Sequence, residues 1–331
     1  MKALQLVKPR QFQVVDIDRP EIVDDQILVR LEKAVLCGSD IPKFAGTWPG
    51  LHYPLPAGMP IHECIGTVVE SQSPRFEAGD LVVAVPRGDV GLAELYPAEA
   101  HRAAHVPGLL AQCDACLLIQ PLSTVVYALD RLGDINGRTA MVVGLGAIGL
   151  LTTWLLSKLG AIEITGVDPI GWRCDAARRL GAAQTLEIHS DRLVSLVDGD
   201  PSWKAPDICV EAVGQQMRTI NNCLHLVKHG GLVLALGVPL EPIYPFEYTR
   251  FFRKNLHLVA SVTPPDETTM VRAADLVARH EEELAFLITH RFGLDGLEEA
   301  YTLYETRAGE RPLKIAIDGT GWPATGGREQ E

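Results

Sequence analysis

The chain opens with short apolar runs. LQLV, FQVVDI, QILVRLEKAVL, CIGTVVES and DLVVAV are rich in Val, Ile and Leu, and KPR, DRP, PAGMP, EAGD and VPRGD separate them. Runs of this length between Gly and Pro punctuation predict strands of a barrel-like or sandwich-like domain. Near Leu117 the pattern changes. LLIQPLSTVVYALDRLG has helical spacing, and TAMVVGLGAIGLLTTWLLSKLG reads as an apolar strand, a glycine turn and a helix. EITGVD is a strand, GWRCDAARRLGA an amphipathic helix, and TLEI, ICVEAV and GLVLALG are further apolar strands. Strands that lack polar alternation are covered on both faces, so this half predicts a parallel sheet with helices on each side. Beyond Val262, TTMVRAADLVARHEEEL and LDGLEEAYTLYET predict helices, LKIAIDG predicts a last strand, and the polar, Gly-rich GTGWPATGGREQE predicts a loose tail.

Composition narrows the classes. A length of 331 residues fits about two domains, and 47% hydrophobic with 22% charged residues excludes dominant disorder. Thirty basic against 42 acidic residues give a net charge of −12, which repels a phosphate backbone and argues against nucleic acid as a partner. Seven scattered cysteines are not a disulfide scaffold. MKALQLVKPR lacks the apolar core of a signal peptide. The uncharged stretch from Thr139 to Ser157 approaches a membrane span in length, but its patterned glycines fit a strand–turn–helix better. The expectation is a cytoplasmic protein with reduced thiols and no membrane partner.

Two sets of residues carry chemistry. Gly144, Gly146 and Gly149 form a G-x-G-x-x-G between an apolar strand and a long helix, and Asp168 closes the next strand about twenty residues on. Gly144 allows the tight turn, Gly146 lets backbone approach a pyrophosphate, and Gly149 lets helix pack on strand. The helix N-terminus then offers free N–H groups to the phosphates. Asp168 accepts from a ribose 2′-hydroxyl and repels a 2′-phosphate, and no Arg or Lys follows it immediately. That favours NAD over NADP. The second set is Cys37-Gly38-Ser39-Asp40 with His62-Glu63. A thiolate and an imidazole suit zinc, which takes three protein ligands at a catalytic site. The third comes from Glu63, from Gln120 or from elsewhere. Adjacent strand residues face opposite ways, so His62 and Glu63 share a metal only if the backbone bends, as Gly58 and Pro60 allow.

CGSD, HECIG, EAGDLVVAV, GLAELY, IQPL, VGLGAIG, VD, EAVG and GGLVLALG, in that order, resemble the zinc-dependent medium-chain dehydrogenase/reductase superfamily, nearest its polyol, sugar and threonine dehydrogenases. The likeness runs over residues 1 to 318. It implies an α/β fold: a GroES-like β-rich catalytic domain from residues 1–122 and 263–331, and a Rossmann doubly wound parallel sheet from 123–262. It also implies NAD and one catalytic zinc per subunit, near the nicotinamide. Cys37 and His62 would be zinc ligands, Glu63 a ligand or close neighbour, and Gln120 a ligand or the holder of a metal-bound water. Ser39 would begin the proton relay. Ala147, Ile148, Arg173, Val213 and Gly237 would join Gly144, Gly146, Gly149 and Asp168 at the cofactor. A homodimer or homotetramer built through the Rossmann domains is implied.

Departures from the family pattern are specific. Ile61 replaces the usual Gly before the His-Glu pair, and Pro42 stands where many members have a relay His. The proton would leave by a ribose hydroxyl, by water or by Lys43. Only Pro86–Val90 stands where the four-cysteine lobe would fall, so no structural zinc is expected. Cys113-x-x-Cys116 is out of place for that lobe and reads as a pair of small helix residues. His101 and His105 read as surface histidines, and Glu281–Glu283 as a solvated helix face. The implied reaction interconverts a secondary alcohol and a ketone. Glu63, Gln120 and Glu94 favour a polyhydroxylated substrate: a polyol, a sugar, a cyclitol or an aminocyclitol. Val262–Asp266 lacks the Arg of sorbitol-type relatives, and Arg250 and Arg253 are candidates for a phosphate. Two other readings fit the fold: a zinc-free quinone or enone reductase, and a nucleotide-binding protein without turnover.

Overall fold

A computed structural model describes residues 1–264, 266–307 and 310–323. The chain divides into two compact units, Met1–Ser123 with Pro265–Glu331, and Thr124–Pro264.

In the first unit, β1 (Lys2–Lys8) and β2 (Gln11–Asp16) form an antiparallel pair. The main sheet holds β3 (Gln26–Val35), β4 (Cys64–Ser71), β5 (Leu81–Pro86) and β6 (Leu95–His105). β3 pairs with both β4 and β6, and β5 joins those two, so four antiparallel strands close on themselves in the GroES-like manner. Closure removes strand edges and points one face inward. Ile27, Val29, Leu31, Val82, Ala84 and Tyr96 fill it, all nearly inaccessible.

The second unit carries a fully parallel sheet of β7 (Thr139–Val143), β8 (Glu163–Val167), β9 (Gln184–Leu186), β10 (Ile208–Glu211), β11 (Leu232–Ala235) and β12 (His257–Ala260). Their spatial order is β12-β11-β10-β7-β8-β9, the doubly wound Rossmann order with its reversal between β7 and β10. Helix Ala147–Lys158 is apolar almost all round, and Leu150 to Leu156 of it are buried. That explains why Thr139–Ser157 resembles a membrane span. No described helix is long and apolar enough to cross a bilayer.

The chain then returns to the first unit. β13 (Ile288–Gly293) runs parallel to β14 (Lys314–Asp318), and β14 pairs antiparallel with β3. Helix Leu297–Thr306 supplies Leu297, Ala300 and Tyr301 to the core, where Tyr301 stacks on Phe44 at 4.7 Å.

His101 and His105 lie on strand β6, His101 half-buried and His105 exposed, where it faces Asp80 at 3.1 Å and lies against Phe76. One expectation needs correction. The start of the tail is anchored: Trp322 packs on the core and the Pro323 carbonyl accepts from Lys2 Nζ at 2.9 Å. The remainder of the tail, 324–331, lies outside the described residues.

Candidate metal centre and dinucleotide site

Strand β3 ends where the metal-type residues begin. Its last residue, Val35, donates its N–H to the Glu63 carbonyl, and Leu36 donates to Ile315 on β14, both at 3.0 Å. The next residue, Cys37, opens a tight turn in which its own N–H donates to Asp40 Oδ2 at 3.0 Å. His62 and Glu63 precede β4 and sit in irregular backbone, which releases them from the alternation of a strand. That segment is pinned from the side. Gly91 donates to the Ile61 carbonyl at 3.0 Å, and a Cβ on Gly91 would fall 2.5 Å from Cys64 Sγ. The short link Pro86–Val90 leads into this contact.

The result is a convergence of three donors. One ligand atom each of Cys37, His62 and Glu63 lies within 4.8 Å of the others. Ser39 Oγ donates to Cys37 Sγ at 3.2 Å. His62 Nδ1 is 3.2 Å from Asp40 Oδ1, and Asp40 is fully buried. Burial opposes charge on this imidazole, but Asp40 and then Cys37 outweigh it and hold its pKa well above the ordinary histidine value. Glu63 Oε2 accepts from Lys314 Nζ at 2.5 Å, with both residues buried. A thiol, an imidazole and a carboxylate are donors that suit zinc better than a hard cation such as magnesium. With Nδ1 facing Asp40, Nε2 is the nitrogen left for an ion, the arrangement that orients ligating histidines. Gln120 lies on another element, the first turn of helix Ile119–Asp130, half-buried, its carbonyl accepting from Ser123 Oγ at 2.7 Å.

The second unit gathers the other set at the carboxyl ends of β7, β8, β10 and β11. Gly144 has φ +91°, and a Cβ there would meet Val213 Cγ2 at 2.7 Å. A Cβ on Gly149 would lie 1.8 Å from the Gly144 carbonyl oxygen, so helix and turn touch backbone to backbone. Gly146 differs: nothing lies within 4 Å of its Cβ position, and no side chain caps the helix that begins at Ala147. An open glycine before an uncapped helix is where a pyrophosphate fits. Ala147 is buried and Ile148 half-buried in its first turn. Val213 and Gly237 follow β10 and β11, and a Cβ on Gly237 would fall 2.2 Å from the Gly214 nitrogen.

Asp168 is more occupied than the sequence suggests. It is buried, and its carboxylate accepts from the N–H groups of Leu145 at 2.8 Å and Ile170 at 2.9 Å. Arg173 NH1 is 3.4 Å from it. The expectation of no cation beside Asp168 is therefore corrected. Helix Gly171–Arg179 begins two residues after Pro169, and its first turn brings Arg173 back over the end of β8. The sequence reading also passed over Glu211, whose Oε1 accepts from the Val213 and Gly214 N–H groups, each at 3.0 Å. Its signal was a lone carboxylate ending a buried strand.

A family model for the alcohol dehydrogenase GroES-like domain matches residues 23–116, and one for zinc-binding dehydrogenases matches 147–279. The chain belongs to the zinc-type medium-chain dehydrogenase/reductase superfamily. It is 28% identical to an uncharacterized zinc-type alcohol dehydrogenase-like protein of Haemophilus influenzae, over 87% of this chain and 90% of that one. It is 27% identical to D-arabinitol dehydrogenase 1 of Uromyces fabae, over 96% and 97%. The alcohol dehydrogenase TADH of Thermus sp. ATN1 superposes with a TM-score of 0.79 at 22% identity, covering 96% of this chain and 99% of that one.

Within this superfamily pattern, several side chains have other work. Lys43 pairs with Asp89 at 3.0 Å and lies over Trp48. Glu94 accepts from the Lys2 N–H at 2.7 Å, at the edge of β1. Arg250 pairs with Glu247 at 2.7 Å on its own short helix. Cys113 caps a 3-10 turn and donates to Glu281, while burial pushes the Cys116 thiol up to about 12. A thiol so hard to ionise is a poor nucleophile or ligand.

Proposed function

We propose that this protein is a zinc-dependent dehydrogenase that moves a hydride between NAD and a secondary alcohol or ketone, the substrate being a polyol, a sugar or a cyclitol. The convergence of Cys37, His62 and Glu63 within 4.8 Å carries the reading. A zinc-free quinone or enone reductase would have no use for that donor set. Cys37 and His62 would hold the ion, with Glu63 or Gln120 as the third ligand.

When bound, zinc supplies Lewis-acid polarisation of an alcohol oxygen, and the dinucleotide supplies the hydride acceptor. The chain's own residues do the rest. Asp40 fixes the His62 ring. Ser39 Oγ, beside the Cys37 sulfur, receives the substrate's hydroxyl proton. Lys43 is engaged by Asp89, so Ser39 hands that proton to water rather than to Lys43. Gly146 and the uncapped helix hold the pyrophosphate. Asp168 keeps the ribose site acidic and favours NAD, with Arg173 tempering the preference. D-arabinitol, named for one relative, is a polyol and supports that substrate class.

Strand β12 is an edge of its sheet, and Leu258 and Val262 are exposed there, which supports a homodimer or homotetramer through this unit. All seven cysteines are free thiols, in keeping with a reducing cytoplasm.

Elemental analysis of the purified protein should find one zinc per chain, and a polyol and cyclitol panel with NAD should yield NADH absorbance. Cys37→Ser should lose at least nine-tenths of the zinc with a little-changed melting temperature. A metal-free wild type that reduces quinones would replace this reading with the zinc-free one. Full zinc occupancy without turnover on the panel would leave a nucleotide-binding protein.

A further inference from the structure

We propose that Lys314 is a positioning residue of the metal centre, a clamp that sets the separation of Cys37 and His62. The inference rests on the reading that these two residues hold the ion. Lys314 opens β14, and its side chain is almost wholly inaccessible. Its ammonium donates to the Leu36 carbonyl at 3.0 Å and to Glu63 Oε2 at 2.5 Å. Leu36 directly precedes Cys37, and Glu63 directly follows His62. One cation therefore ties together the two peptides that carry the thiolate and the imidazole. Backbone bonds reinforce the tie, since Leu36 donates to Ile315 and Val35 to Glu63.

Stability alone is a poor reason for such a pair. Two buried charges cost several kcal/mol to desolvate, and apolar residues of similar volume often serve as well or better. What an ammonium adds is two directed bonds from one atom, which an apolar side chain cannot make. A metal site demands that its ligands be held within about half an ångström. The neighbouring side chains, Asp40 on His62 and Ser39 on Cys37, orient each ligand singly; Lys314 relates one to the other.

The test titrates Co2+ into protein freed of metal, following the thiolate-to-cobalt absorption band, with melting temperature recorded for each variant. Glu63→Gln serves as reference, because it removes the carboxylate while leaving Lys314 its bond to Leu36. Adding Lys314→Met to it should weaken Co2+ binding at least tenfold relative to Glu63→Gln and shift the band. Lys314→Arg, which can make both donations, should keep the wild-type band and affinity. A double variant that binds Co2+ like Glu63→Gln, with the same band, overturns the clamp. If the double variant does not fold, Lys314→Arg decides: a wild-type band supports the clamp, and a weakened, shifted band in a folded protein overturns it. Should neither variant fold, Lys314 serves stability at large and the clamp is overturned. A wild type that takes up no Co2+ overturns the zinc reading and the clamp together, whereas a cobalt-binding wild type beside a double variant that matches Glu63→Gln overturns the clamp alone.

Discussion

At the scale of single residues, Asp168 carries two loads. It meets the nucleotide's ribose in the proposed function, and it satisfies the Leu145 and Ile170 N–H groups in the fold. The two loads separate by substitution. Asp168→Ala strips an acceptor from two backbone donors and should cost about 2–4 kcal/mol, read by denaturant unfolding. Asp168→Asn keeps an acceptor oxygen, removes the charge that opposes a 2′-phosphate, and leaves Arg173 without its anion. It should raise the NADP-to-NAD ratio of kcat/KM at least tenfold; an unchanged ratio would remove Asp168 from cofactor selection. Cys37, Ser39, Asp40, His62 and Glu63 were legible because each lies in a short local motif. Lys314 was not, because its partner Glu63 is 251 residues away. Its one sequence signal was a lysine at the head of LKIAIDG, an otherwise apolar strand. Arg173 was named at the cofactor, but its pairing with Asp168 was not legible, because a helix, not the neighbouring sequence, brings the two together.

At the scale of elements, the turn between β7 and helix Ala147–Lys158 shows three glycines held for different reasons, and two of those reasons can be tested against each other. Gly149→Ala drives a Cβ to within 1.8 Å of a backbone oxygen and should cost more than about 3 kcal/mol. Gly146→Ala meets open space, so stability should change by less than about 1 kcal/mol while NADH affinity, measured by fluorescence titration, falls at least tenfold. Equal stability losses in both would make the motif one of packing only. The apolar strands β7, β10 and β11 were readable as continuous runs buried on both faces. Strands β6, β12 and β13 were not. LYPAEAHRAAH lacks β-branched residues, and HLVA and ITHRFG belong to edge strands whose exposed faces admit polar side chains. Such strands are fixed by the partner they pair with rather than by their own composition.

At the scale of the whole molecule, the first unit is assembled from segments far apart in the chain, and the second from one continuous stretch. Expressed alone, residues 124–264 should fold cooperatively, because the sheet and the core of Met141, Leu193, Cys209, Leu224 and Val233 are complete within them. Residues 1–123 alone lack β13, β14 and helix Leu297–Thr306, and leave Leu31, Phe44 and Leu36 without Tyr301, Ile315 and Ile317. That fragment should bind the dye ANS and show no cooperative melting transition. A cooperative melt there would show that β14 is dispensable to the barrel. The parallel sheet followed from strand–helix alternation, whereas the closure of β3 on β6 and the insertion of β14 beside β3 depend on long-range pairing that no local pattern encodes.

The separation of Glu63 from Lys314 also has a bearing on biosynthesis. At about 5–20 residues per second, a ribosome needs on the order of tens of seconds to travel from one to the other. Throughout that interval the emerging polypeptide carries an acidic side chain whose eventual counterion has yet to be translated. All of the second unit, 124–264, leaves the exit tunnel before Lys314 does, so the surroundings of Cys37, His62 and Glu63 are among the last parts of the molecule to be completed.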